Sequence, residues 1–159
     1  PDYAQRYTPE FRVFTPDCDS SVLKSCSHEA VVNAYDNTIL YTDANLDDAI
    51  EYLKRLEPDF QTALLYVSDH GESTGEDGWY MHGLPKAVAP DDQVRVPFIA
   101  WFSPGFQAAE KLDVECVRRL RDERHSHDDV FHSTIGLLGI ATPGYDGARD
   151  VFRPCRAGP

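Results

Sequence analysis

Residues 64–73 read LLYVSDHGES, an apolar run that stops at an acid, an imidazole and a glycine. The run from Ala63 to Val67 is typical of a buried strand. In an open α/β sheet, ligands collect beyond the carboxyl ends of strands, so Asp69 and His70 stand where chemistry is usually done. Gly71 allows a sharp backbone turn there without a Cβ clash. A carboxylate next to an imidazole is a donor pair that suits zinc.

His82 is a second candidate, thirteen residues after Asp69 at the far end of a polar loop that contains glycines. If the loop folds back, His82 reaches the same place as Asp69 and His70, and Glu72 orients a ligand through a hydrogen bond. Two simpler interpretations remain open. Asp69 and His70 can form a strand-end turn in which the acid caps and the ring packs, and an isolated loop histidine is more often an ordinary surface residue.

Composition limits the class of protein. The 159 residues are 42% hydrophobic and 11% aromatic, which is typical of a globular domain. The net charge of −12 argues against a nucleic-acid partner, because phosphate backbones are bound through an excess of Lys and Arg. No run approaches the roughly 20 apolar residues that a membrane helix needs.

The four cysteines favour an oxidising compartment. Cys18 and Cys26 are eight residues apart across a polar loop, a spacing that suits a short disulfide-closed loop. Cys116 and Cys155 are candidates for a second bridge to the C-terminal tail, but the sequence does not decide this pairing. The alternative is a set of reduced, buried cysteines, whereas a cysteine-only zinc site is not expected without a C-x-x-C spacing.

Helical periodicity is clearest before the central strand. Ser27 is the predicted N-cap of a long helix with Glu29 in its first turn, and the helix ends before Pro58. Polar residues inside it, such as Asn37, are expected to be solvated or to cap a neighbouring loop. The predicted apolar face consists of Val32, Tyr35, Ile39, Thr42, Leu46, Ala49 and Leu53.

Residues 60–68 are the predicted central strand, and residues 94–102 a second strand in which Pro97 indicates a sheet edge or a bulge. Between them, residues 71–93 are predicted to lack regular structure, and residues 103–105 to form a turn. Residues 107–124 are expected to be a surface helix or an irregular segment. The order of helix, strand and ligand-bearing loop predicts an α/β fold.

Residues 125–132 read HSHDDVFH and superficially suggest a metal site. Ser126 followed by two acids is instead typical of a helix N-terminus, with an apolar series from Val130 facing the core. His127 and His132 are not spaced i, i+4, so they are not a ready pair of ligands on one helix face. This helix is predicted to end at residues 142–144, which read TPG.

Six short segments carry a family resemblance: residues 68–73 (SDHGES), 75–78 (GEDG), 80–85 (YMHGLP), 35–38 (YDNT), 89–91 (APD) and 96–98 (VPF). Together they resemble the phosphoethanolamine–lipid A transferases, which include the mobile colistin-resistance proteins. The resemblance implies part of an alkaline phosphatase/sulfatase-like fold, with a central sheet flanked by helices. It also implies a Cys18–Cys26 disulfide.

The resemblance assigns roles to individual residues. Asp69 and His70 correspond to ligands of Zn2+, and His82 to a catalytic residue at the substrate phosphate. The family's other ligand, a glutamate, and its nucleophilic threonine have no counterpart in residues 1–159. Pro1 matches the proline of a His-Gly-Pro motif, so that motif's histidine is expected to precede this chain.

Residues 1–159 are accordingly expected to be the C-terminal part of a periplasmic catalytic domain at the bacterial inner membrane, with transmembrane helices and the nucleophile-bearing part elsewhere. The donor would be phosphatidylethanolamine and the acceptor lipid A. The chain alone is expected to be inactive and to self-associate through unpaired strand edges. The alternatives are a sulfatase or phosphatase/phosphodiesterase of the same superfamily, and a non-catalytic module with a degenerate zinc half-site.

Overall fold

The computed structural model describes residues 2–157, so Pro1 and its motif lie outside the described residues. Among the described residues there are five α-helices and four short strands, which agrees with the α/β prediction. The helices are α1 (His28–Leu56), α2 (Asp91–Val94), α3 (Pro104–Ala109), α4 (Val114–Arg119) and α5 (His127–Leu137). The strands are β1 (Ala63–Val67), β2 (Ser73–Thr74), β3 (Tyr80–Met81) and β4 (Phe98–Phe102).

The chain divides into two compact units. The first comprises Pro1–Tyr52 and Leu65–Ile99, and the second Leu53–Leu64 and Ala100–Pro159. In the described part, β1 neighbours β4 in one sheet, and β2 pairs with β3 in another. No helix among residues 2–157 is long and apolar enough to cross a membrane.

Helix α1 begins as predicted, because the Ser27 hydroxyl accepts a hydrogen bond from the Ala30 N–H at 3.2 Å. The predicted apolar face is wrong in the first half of the helix. Ala30, Val31 and Ala34 are buried there, whereas Ile39 is 51% exposed. Small alanines let neighbouring chain approach the helix closely, so they mark the contact face better than the larger side chains do.

The core of the first unit is built on this helix face by the N-terminal segment. Cys18 and Cys26 form a disulfide, as predicted. Cys18 packs with the fully buried ring of Tyr3 and with Val31. Asn37 is also fully buried: its Oδ1 accepts from the N–H groups of residues 13 and 14, so it caps a neighbouring loop. The covalent bridge and this cap together hold the irregular segment against α1.

The residues after β4 differ from the prediction. Residues 103–105 begin α3 instead of a turn, and the Ser103 hydroxyl caps the helix by accepting from the Phe106 N–H at 3.1 Å. Pro104 occupies the first helical position, where its fixed φ favours a helix start. Strand β4 is also shorter than predicted, because Val94 ends α2.

The second unit has a core of Phe102, Leu112, Leu137 and Phe152. Cys116 and Cys155, whose pairing the sequence left open, form a second disulfide that joins α4 to the C-terminal segment. Helix α5 starts with a capping box between Ser126 and Asp129, which confirms that start. The Tyr145 hydroxyl donates to buried Asp150 at 2.8 Å, and burial together with this bond raises the pKa of Tyr145.

Candidate metal site

Strands β2 and β3 form a hairpin inside the segment that was predicted to lack regular structure. Their register pairs Ser73 with Met81 and Thr74 with Tyr80. Continuing this antiparallel register by one residue places Glu72 opposite His82. The hairpin therefore brings together two residues that are ten positions apart in sequence.

The turn of the hairpin is held by one acidic side chain. Glu76 accepts hydrogen bonds from the Thr74 N–H at 2.7 Å and from the Thr74 hydroxyl at 2.5 Å. Gly75 has φ of +132°, and a Cβ there would lie 2.9 Å from the His28 ring. Only glycine combines that backbone conformation with so close a neighbour.

A second contact fixes the other end of the hairpin. Gly71 donates its N–H to the Gln93 carbonyl at 3.0 Å, and the Gln93 amide donates to the buried Ser73 hydroxyl at 2.9 Å. A Cβ on Gly71 would collide with the Asp92 carbonyl oxygen. Gly71 is therefore required because the backbone of α2 lies against it, and not because of a positive φ.

His70, Glu72 and His82 form the cluster that results. Each offers one donor atom, and these atoms lie within 4.8 Å of one another. The two imidazole rings are 3.7 Å apart between centroids. His82 Nδ1 is 3.1 Å from Glu72 Oε1. Imidazole nitrogens and a carboxylate oxygen are donors that zinc accepts.

Hydrogen bonding fixes which ring nitrogens remain free. His70 Nδ1 lies 3.0 Å from the Gly71 carbonyl oxygen, which can only accept, so Nδ1 carries the proton and Nε2 keeps its lone pair. By the same reasoning, His82 Nδ1 donates to the Glu72 carboxylate and leaves Nε2 free. Both rings are therefore in the tautomer that metal-binding or proton-accepting histidines use.

Asp69 lies beside this cluster and not within it. Its side chain is 89% exposed, and its Oδ2 lies 3.7 Å from His70 Nε2. Its other oxygen, Oδ1, accepts the His70 N–H at 3.1 Å. Asp69 Oδ2 and His70 Nε2 thus face the same space.

Two tyrosines lie near Glu72. The sequence gave no indication that Tyr3 is near a site, and Tyr35 was predicted only as part of an apolar helix face and of the YDNT segment. Burial, with the charge and accepting oxygen of Glu72, raises the pKa of Tyr3 well above its ordinary value. Burial and the same charge also raise the pKa of Tyr35. The rings of Tyr3 and Tyr35 meet edge to face at 5.8 Å.

The histidines of residues 125–132 have other contacts. His132 Nδ1 accepts the Asp146 N–H at 3.0 Å, and His125 Nδ1 lies 3.7 Å from Asp129. In the described part of the chain, the donor cluster that could hold a metal contains none of these three rings.

Comparison with known proteins places this geometry in a family. Residues 1–140 match the model of the sulfatase family. The chain belongs to the sulfatase family. Its α/β architecture is that of the alkaline phosphatase/sulfatase-like fold, as expected.

Within the sulfatase family, the chain is similar to phosphoethanolamine transferases. It is 45% identical over 157 residues to the phosphoethanolamine transferase EptA of Escherichia coli K12, and the match covers 98% of this chain. The match spans only 29% of that relative's length. The resemblance inferred from the motifs is thereby confirmed.

Two solved structures extend the similarity to the fold. The soluble domain of lipooligosaccharide phosphoethanolamine transferase A from Neisseria meningitidis superposes with a TM-score of 0.95 at 39% identity, over 99% of this chain and 48% of that domain. The C-terminal periplasmic domain of phosphoethanolamine transferase EptC from Campylobacter jejuni gives 0.88 at 39% identity, over 100% and 50%.

Proposed function

We propose that this chain is the C-terminal part of the periplasmic catalytic domain of a zinc-dependent transferase at the bacterial inner membrane. The enzyme would move phosphoethanolamine from phosphatidylethanolamine to lipid A. Membership of the sulfatase family and similarity to named phosphoethanolamine transferases support the reaction class. The observation that carries the proposal is the meeting of His70, Glu72 and His82 at the end of β1.

Asp69 and His70 would hold the zinc ion. Their facing donor atoms are 3.7 Å apart, close to the separation of about 3.3 Å that bonds of about 2.0 Å give in a tetrahedral site. The Gly71 carbonyl accepts from His70 Nδ1 and so leaves Nε2 for the metal. Two donors make a half-site, and the remaining ligands would come from outside residues 1–159.

Bound zinc would supply Lewis-acid polarisation of the phosphoryl group and activation of a hydroxyl nucleophile. His82 is the residue of this chain that would act on the substrate. Glu72 holds its Nδ1, so Nε2 is available to contact the phosphate and to pass a proton to the departing oxygen. The nucleophile that the family resemblance implies is not among these residues, so the chain alone is inactive under this proposal.

A chimera tests the proposal directly. The matching segment of the E. coli transferase is replaced by this chain, and phosphoethanolamine transfer to lipid A is measured by mass spectrometry. We expect transfer by the chimera and a loss of at least about 100-fold with His82→Ala, the lower end of the range for losing a general acid. The matched control is His125→Ala, which leaves the cluster intact. A chimera that reaches the membrane at normal levels but transfers nothing contradicts the proposal.

The isolated chain provides two further tests. Competition with a zinc indicator should show one bound ion, with affinity reduced at least about tenfold by His70→Ala and unchanged by His125→Ala. Phosphoethanolamine release by the isolated chain, abolished by His70→Ala, would show that a nucleophile is present after all.

Self-association of the chain is part of the same proposal. All five residues of β1 are apolar or aromatic, yet each is only partly buried, and in the described part of the chain β4 is the strand beside it. Such an edge favours pairing with another strand. Sedimentation velocity over a range of concentrations should show oligomers, and Leu65→Lys should reduce them.

A further inference from the structure

Glu72 is a buried carboxylate that is only half used. Its side chain is 7% exposed, and Oε1 is the oxygen that faces His82 Nδ1. The other oxygen, Oε2, is buried and meets the geometric limits of a hydrogen bond with no described group. A buried carboxylate oxygen is costly to leave without a donor, so a donor is expected close by.

Tyr3 offers the complementary atom. Its side chain is fully buried, and its hydroxyl also lacks a partner within hydrogen-bond geometry among the described residues. Burial raises the pKa of Tyr3, and Glu72 is the next cause, so the hydroxyl and the carboxylate are near each other. A phenol O–H can donate where a carboxylate oxygen can only accept.

The hairpin explains why the two groups meet. Tyr3 belongs to a buried cluster against which Met81 packs. Met81 is paired with Ser73 in the hairpin register, and Glu72 and His82 each follow by one residue on their own strand. The cluster that contains Tyr3 therefore packs against the end of the hairpin that carries both site residues.

We propose that Tyr3 is a positioning residue: its hydroxyl donates a hydrogen bond to Glu72 Oε2 and thereby holds Oε1 against His82 Nδ1. Tyr3 then contacts Glu72, and Glu72 in turn contacts His82. Tyr35 is a weaker candidate for this task. It is only partly buried, and its hydroxyl is not among the buried polar atoms that lack a hydrogen-bond partner. The task of His82 rests on the proposed function, but the contact between Tyr3 and Glu72 does not.

The tautomer of His82 reports this contact without metal or substrate. In the 15N-histidine-labelled chain at about pH 8, where imidazoles are neutral, ring 15N shifts distinguish the Nδ1–H from the Nε2–H form. A His82→Ala spectrum assigns the ring. We expect mainly the Nδ1–H form in the wild-type chain and a mixture of both forms in Tyr3→Phe, which keeps the buried ring but removes the donor.

Tyr7→Phe is the matched control, because it removes another tyrosine hydroxyl of the N-terminal segment, one that donates to Asp17. It should leave the His82 tautomer unchanged. Once Glu72→Gln is present, adding Tyr3→Phe should change nothing further, since the route through Glu72 is already broken. Near-UV circular dichroism shows that each variant is folded.

Zinc affinity is the second readout. Because the proposed function gives the ion to Asp69 and His70, Tyr3→Phe should leave the zinc affinity unchanged, which separates an effect on His82 from a general disturbance of the site. An unchanged His82 tautomer in Tyr3→Phe overturns the proposal, as does an equal change in Tyr7→Phe. A wild-type chain that binds no zinc contradicts the proposed function instead, while the tautomer experiment still decides on Tyr3.

Discussion

Glu72 and Asp150 are both buried carboxylates, one in each unit, and their surroundings are opposite. Asp150, whose side chain is fully buried, accepts from four donors. Glu72 is nearly as buried, but among the described residues only Oε1 has a partner within hydrogen-bond geometry, and Oε2 has at most the one donor proposed above, Tyr3. The donors to Asp150 are the Tyr145 hydroxyl, the N–H groups of Phe152 and Arg153, and the Arg156 guanidinium.

The difference separates a structural acid from one suited to a site. A carboxylate with every acceptor position filled stabilises the fold and cannot take a ligand without losing a bond. A buried carboxylate with an unfilled position is unfavourable for the fold, and such groups are often found where a protein binds or reacts. Substitutions at the two carboxylates and in their surroundings test this contrast.

Asp150→Ala should have the largest effect on stability. The substitution leaves the Arg156 charge and three other donors without their acceptor, so we expect a loss of about 3–5 kcal/mol in the free energy of unfolding. Urea denaturation measures it. Asp128→Ala is the control, because Asp128 forms an exposed pair with Arg149 and should cost less than about 1 kcal/mol. Equal losses in the two variants would mean that the Asp150 contacts are not structural.

Gly71→Ala should have the next largest effect. The new Cβ would meet the backbone oxygen of Asp92, which cannot move aside without displacing α2, so we expect a loss of about 1–3 kcal/mol. Thermal unfolding checks this. Gly105→Ala is the control, since its Cβ would find only ordinary contacts at 3.9 Å. A neutral Gly71→Ala would show that the backbone behind the site is not fixed by this contact.

Glu72→Gln should change stability little, by less than about 1 kcal/mol, because the wild-type carboxylate has few bonds to lose. The equivalent change Asp150→Asn should cost more, about 1.5–3 kcal/mol, because it weakens hydrogen bonds to a charged group. Urea midpoints of the two isosteric variants give the comparison. If Glu72→Gln proves the more costly, the two carboxylates do not differ in the way proposed.

The hairpin turn should show the smallest effect, as a dependence on pH. Burial opposes ionisation of Glu76, but the Thr74 hydroxyl and nearby N–H groups hold the pKa of Glu76 below its ordinary value of 4.5. A lowered pKa in the folded state stabilises the fold above about pH 4.5, and this contribution disappears as the pH falls further.

The midpoint difference between wild type and Glu76→Gln should therefore shrink on going from pH 7 to pH 3. Because the carboxylate is 41% exposed, solvent screens it, and we expect a change below about 0.5 kcal/mol. A difference that grows at low pH would contradict the sign.

Local sequence signals were sufficient to predict the elements whose ends are marked by nearby side chains. Ser27 and Ser126 mark helix starts because capping depends on side chains within a few residues. The strand-end position of Asp69 and His70 likewise follows from an apolar run and a glycine. The Cys18–Cys26 disulfide agrees with the prediction from its spacing and from the family resemblance, whereas the pairing of Cys116 with Cys155 was left open because their spacing of 39 residues carries no local signal.

The hairpin could not be predicted because its strands have two residues each and no periodicity. Glu76 holds its turn and Gln93 holds its edge, and neither contact leaves a sequence pattern. Glu72 and His82 were both named from sequence, but their meeting depends on that register. Tyr3 gave no signal, because a single buried tyrosine looks like any core residue.

The Cys18–Cys26 bridge has a consequence for how the chain must be made. Cys18 shares a buried cluster with Tyr3, so the bridge anchors the segment that underlies the site. Closing a loop restricts the unfolded chain, and a native disulfide typically contributes about 2–4 kcal/mol. Protein synthesised in a reducing cytosol would lack both bridges, and its N-terminal segment would separate from α1 more readily. Oxidation of both cysteine pairs is therefore a condition for correct maturation of the site, and material from reducing and oxidising expression hosts should not be treated as the same sample.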